Sequence, residues 1–126
     1  MTHDEYAEHV KKFTGEMQAL TAAKNADYSA GSSDSMYNFK TAGDRAGTSA
    51  LQAWWVLTTK QLLAIERFVK DGKVSSESIH SRFLDMANYA MLGDALVVDL
   101  EIERQANLDP GTRKLEQIFL GARDKK

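Results

Sequence analysis

Apolar residues recur along this chain at spacings of three and four, the signature of helices with one buried face. Over residues 4–24 the apolar positions are Tyr6, Val10, Phe13, Met17 and Leu20, with Thr2 or Asp4 placed to cap the helix. From about Ala50 to Lys70 the pattern broadens. Leu51, Trp54, Trp55, Leu57, Leu62, Leu63, Ile65, Phe68 and Val69 cover most of the circumference, which predicts a helix at the centre of a bundle. Thr48-Ser49 caps it, and Asp71-Gly72-Lys73 ends it with Gly72 as the left-handed residue. A third helix is expected from Ser75 or Ser76, with Glu77 or Ser78 in its first turn. It runs through Ile79, Phe83, Met86, Ala90, Leu96, Val97, Leu100 and Ile102 as far as Ala106. Asp109-Pro110 then supplies an N-cap and a first-turn proline for a short last helix, which Gly121 closes.

Residues 25–49 break this rhythm. Asn25 to Ser35 is turn chemistry, Met36-Tyr37-Asn38-Phe39 inserts aromatics, and Gly43 and Gly47 interrupt the remainder of the segment. The expectation is a long loop, ordered because its aromatics have something to bury. No segment reads as a strand, and there is no internal repeat. The sequence therefore predicts a single all-α domain over 1–126, a helical bundle of about four main helices with a long ordered loop after the first.

Composition narrows the function classes. An apolar fraction of 43% in 126 residues supports one core. The net charge of −2, with both signs interspersed, gives no drive toward nucleic acid or an anionic membrane. Cysteine is absent, which excludes disulfides, thiol catalysis and thiolate zinc sites. No apolar run approaches the ~20 residues of a membrane span, and the N-terminus lacks the pattern of a secretory signal. The expected location is the cytoplasm.

The densest candidate chemistry lies in Phe83-Leu84-Asp85-Met86-Ala87-Asn88-Tyr89-Ala90, where Asp85 and Asn88 share one helical face inside an apolar run. An ionised carboxylate there must be paired or must hold a ligand. One account makes Asp85 a buried acid partnered by Lys60 or Arg82; the other makes it part of a site. Glu77 and Asp85 are oxygen donors suited to Mg²⁺. Lys60 has an apolar-packed stem and an ammonium able to meet phosphate. Lys24, Asp27 and Tyr28, with Asn38 and Phe39 beyond them, offer charge, hydrogen bonds and rings, the parts of a nucleotide pocket. His3, His9 and His80 have no ligand spacing, and Trp54-Trp55 is expected in the core. There is no phosphate loop or dinucleotide fingerprint.

Lys24-Asn25-Ala26-Asp27-Tyr28, Asn38-Phe39, Lys60, Glu77-Ser78-Ile79 and Asp85-Met86-Ala87-Asn88-Tyr89-Ala90 together resemble the nucleotide modification associated domain 1 family of bacteriophages. More distantly they are similar to the all-α, MazG-type nucleoside triphosphate pyrophosphohydrolases. The resemblance spans roughly residues 20–95. It implies a nucleotide ligand and a homo-oligomer, dimer or tetramer, with sites near the subunit contact. If the protein binds a nucleotide, Lys24, Lys60 and Arg82 are expected to meet phosphate, Tyr28 and Phe39 to stack on the base, and Asp85 and Asn88 to read an edge or orient the lysine, with Tyr89 beside them. MazG-type enzymes hold Mg²⁺ with Glu-x-x-Glu on one helix and Glu-x-x-Asp on the next. Here Asp85-x-x-Asn88 stands in the second motif and the first is missing, since the central helix has Lys60-x-x-Leu63. Three functions remain: a phage-type nucleotide-binding protein that recognises or sequesters a nucleotide, a modified nucleotide or a nucleotide signal; a Mg²⁺-dependent pyrophosphohydrolase, with Glu77 and Asp85 on the metal; and a non-catalytic helical interaction protein.

Overall fold

A computed structural model describes residues 1–29, 31–74 and 77–124, with the side chains of Tyr28, Arg123 and Asp124 outside that set. The described residues form five helices: α1 (His3–Tyr28), α2 (Tyr37–Ala46), α3 (Ala50–Asp71), α4 (Ile79–Ala106) and α5 (Pro110–Asp124). The all-α expectation holds. No helix among the described residues is long and apolar enough to cross a membrane.

Local chemistry sets the ends. Thr2 caps α1 through a reciprocal box: its hydroxyl accepts from the Glu5 amide at 3.1 Å, and the Glu5 carboxylate accepts from the Thr2 amide at 2.7 Å. Ser49 and Gln52 repeat the device at α3, at 3.0 and 2.9 Å. Gly72 closes α3 in the left-handed region, φ 69°. Asp109 caps α5 by accepting from the Thr112 amide at 3.0 Å.

Three boundaries differ from the sequence expectation. The segment 25–49 is not one long loop, because α1 continues to Tyr28 and Tyr37–Ala46 forms α2. Met36, Phe39 and Gly43, at spacings of three and four, are the buried face of that short helix. Gly43 sits inside α2 because a Cβ there would stand 2.9 Å from the Ser49 backbone; its smallness lets α3 turn back tightly over α2. Gly47, φ 71°, makes that turn. The α4 cap is Ser78, so Glu77 precedes the helix; Ser75 and Ser76 lie outside the described residues. Finally, α5 continues through Gly121 to Asp124.

Helix α3 packs on α2 and α4, and α1 packs on α4. The core where they meet is small: Met36, Phe39 and Leu96, flanked by Ala50, Trp54, Tyr89, Leu92 and Leu100. Trp54 lies flat on Gly93, where a Cβ would approach its ring to 2.3 Å, and its indole N–H donates to the Tyr89 carbonyl at 2.8 Å. Trp55 does not join it in the core; it is 57% exposed. The expectation that α3 lies at the centre is half met, since Val56, Leu62 and Leu63 are also exposed. Lys40 ties α2 down, its ammonium 2.7 Å from each of Asp34, Asp99 and Glu103. Helix α5 is held near its start by Arg113, which donates to the Gln105 carbonyl at 2.9 Å, and by the Arg104–Glu116 ion pair.

Candidate functional site

The last two turns of α1 run beside the middle of α4, and the start of α2 closes one end. A cavity of about 430 Å³ opens between them. Gln18, Thr21 and Asn25, spaced three and four apart on α1, share its wall with Lys24. Asn38 of α2, with Ser35 just before that helix, and Asn88 of α4 add further polar groups. Met36, Met91, Leu92 and Ala95 form the apolar surface.

Asn88 is the centre of the arrangement. It is 1% exposed, and its Oδ1 accepts from the Thr21 hydroxyl at 2.8 Å. Its Nδ2 is buried with no hydrogen-bond partner among the described residues. Turning the amide over would only change which of its two polar atoms is left over. A buried donor without an acceptor costs about 1–3 kcal/mol, and the residue that carries it lines the cavity wall.

One turn earlier on α4, Asp85 is 9% exposed and its Oδ1 lies 3.1 Å from the Lys24 ammonium. Burying that carboxylate requires a counter-charge, and α1 supplies it. Asp85 therefore has a partner, but Lys24 rather than the Lys60 or Arg82 expected from sequence. Lys24 lines the cavity; Asp85 does not.

The other predicted residues scatter. Asn38 lines the cavity. Phe39 is 1% exposed and packs edge-on against Tyr89, ring centres 6.4 Å apart, so it is core and not a stacking platform. Tyr89 belongs to the same cluster. Asp27 is exposed at the end of α1, and the Tyr28 side chain is outside the described residues. Lys60 is exposed on α3 and does not line the cavity. Arg82 lies 3.8 Å from Glu77.

The donors for Mg²⁺ fit poorly. Asp85 already faces an ammonium, Glu77 faces Arg82, and no group of three or more His, Asp or Glu side chains is placed to hold a metal ion among the described residues. A metal at Asp85 would have to displace Lys24.

Sequence reasoning missed Gln18 and Thr21 and read Asn25 as turn chemistry. Their signal was present as polar positions at helical spacing on α1, but apolar spacing alone defined that helix and ended it at residue 24.

The far end of the cavity is fixed electrostatically. The Lys40 ammonium beside Asp34 holds that carboxyl below its ordinary value, helped by the Met36 amide N–H. The hydrogen bonds to Asp34, Asp99 and Glu103 in turn raise Lys40 well above the usual lysine range.

Comparison with known proteins finds no matching family model, no matching curated protein and no matching solved structure.

Proposed function

We propose that this is a phage-type nucleotide-binding protein on a MazG-like helical scaffold, which recognises or sequesters a nucleotide, a modified nucleotide or a nucleotide signal and works as a homo-oligomer. The observation that carries the proposal is the spare, buried hydrogen-bonding atom of Asn88 in the cavity wall. The cavity of about 430 Å³ lies in the range of small-molecule sites, ≈ 300–1,000 Å³. Gln18, Asn25, Asn38 and Asn88 pair a donor with an acceptor on each side chain, as the edge of a nucleobase does. Met36, Met91 and Leu92 offer polarisable apolar surface for the flat faces of a base. Lys24 meets the anionic part of the ligand as a point charge, while Asp85 keeps it in place. Phosphate contact thus falls to Lys24 instead of being shared with Lys60.

The test is a thermal-shift panel of nucleosides and nucleotides, run with and without Mg²⁺, on the wild type and on Asn88→Leu. A ligand that binds only the folded state raises the melting temperature by mass action. Stabilisation of the wild type by one class of base, independent of Mg²⁺ and lost in Asn88→Leu, is the expected result. Silence across the panel would reject the proposal. Mg²⁺-dependent pyrophosphate release that vanishes in Asp85→Ala would make the protein a hydrolase instead.

A further inference from the structure

The cavity between α1, α2 and α4 offers little positive charge. Among the described residues, Lys24 is the one charged side chain in its lining. Its ammonium stands 3.1 Å from the Asp85 carboxylate, so the pair adds no net charge to the wall. The other polar groups of the lining, on Gln18, Thr21, Asn25, Ser35, Asn38 and Asn88, are uncharged.

The end formed by α2 is acidic. A helix N-terminus ordinarily attracts an anion, and Ser35, Met36 and Asn38 at the start of α2 line the cavity. Here the chain's own carboxylate takes that place, since Asp34 accepts from the Met36 amide at 2.9 Å. Asp34, Asp99 and Glu103 all gather on the Lys40 ammonium. Three carboxylates around one cation leave negative charge in excess at this end.

Such surroundings repel a polyphosphate. Each further phosphate brings more negative charge, and like charges closer than a Debye length repel. Mg²⁺ would offset that charge with help from protein oxygen donors, and Asp85 is already engaged by Lys24. The volume of about 430 Å³ is also toward the small end of the ≈ 300–1,000 Å³ of ligand pockets. We infer that the ligand is a nucleoside carrying at most one phosphate, its base and sugar held by the carboxamides and hydroxyls of the cavity and any phosphate met by Lys24. Asp85 sets the limit. Its side chain is 12% exposed and stays beside whatever anion Lys24 holds, so one phosphate is tolerated and a chain of them is not. This limit on charge rests on the reading of the cavity as a nucleotide site and goes beyond it.

The test is calorimetric titration of the full chain. Adenosine, guanosine, cytidine and thymidine are added free and as their 5′-mono-, di- and triphosphates, with and without Mg²⁺. In the series that binds, the nucleoside or the monophosphate should be tightest, and each phosphate beyond the first should weaken binding several-fold. Raised salt should narrow that gap. Asp85→Asn removes the carboxylate that balances Lys24 and should bring the triphosphate closer to the monophosphate. A triphosphate that binds the wild type most tightly would overturn the limit while leaving a nucleotide site in place. So would a gap that neither salt nor Asp85→Asn changes. No binding by any member would reject the nucleotide site and the limit together.

Discussion

The Asp85 side chain is 12% exposed and the Lys24 side chain 28%, so losing one partner affects the other unequally. Lys24→Met strands a buried carboxylate and should cost about 3 kcal/mol. Asp85→Asn leaves an ammonium that can swing toward water and should cost less. Chemical denaturation of the two variants gives the comparison, and equal losses would contradict this account of the pair. Gly93 makes a second prediction for a single residue. A methyl group there meets the Trp54 ring, so Gly93→Ala should destabilise by about 1–3 kcal/mol. Asp85 and Asn88 were legible in the sequence because polar residues stand out in an apolar run. Lys24 as the partner was not, because charge pairing between helices depends on which faces meet, and spacing within one helix carries no record of that.

Among the elements, α2 shows what periodicity hides. Its ten residues are flanked by serine, glycine and aspartate, whose turn preferences mask a short anchor pattern of Met36, Phe39 and Gly43. Tertiary contacts decide its conformation: Phe39 fills the core and Lys40 clamps the helix to α4. The clamp has a defined pH response. The Asp34 carboxyl is depressed from 3.8 in the folded state, so its stabilising contribution is present above that value and is lost as the pH falls through the lower folded value. Lys40 is shifted upward, so its contribution is complete below 10.5 and is lost only in stronger alkali. The melting-temperature gap between wild type and Asp34→Asn should therefore be widest near neutrality and should shrink below pH 3.8. A gap independent of pH would show that Asp34 acts through packing alone. Helix α3, by contrast, was legible almost to the residue, because Ser49 and Gly72 mark its ends by caps that need no tertiary context, and Asp109 marks the start of α5 in the same way.

For the whole molecule, the same feature that misled the sequence reading carries the most information. An α3 apolar on nearly all sides read as a buried central helix. Within one chain it is covered by α2 and α4 on one side only. Sequence hydrophobicity does not say whether a surface is buried by its own chain or by another. If self-association completes the burial, stability is tied to concentration, and the melting temperature should rise as the protein is concentrated from about 1 to 100 μM. A constant value would mean that each chain is stable alone despite its open face.

The most direct test of the cavity itself is calorimetric titration of the wild type and Asn88→Leu with the nucleotide that stabilises the protein best. The leucine removes the buried spare atom without opening a void. Leucine also removes the acceptor of the Thr21 hydroxyl, so the unliganded variant should stay within about 1 kcal/mol of the wild type and should bind at least about tenfold more weakly, as expected when a ligand acceptor loses its donor. Equal affinity in the two proteins would mean that Asn88 makes no contact with any ligand and that the cavity between α1 and α4 is not the binding site.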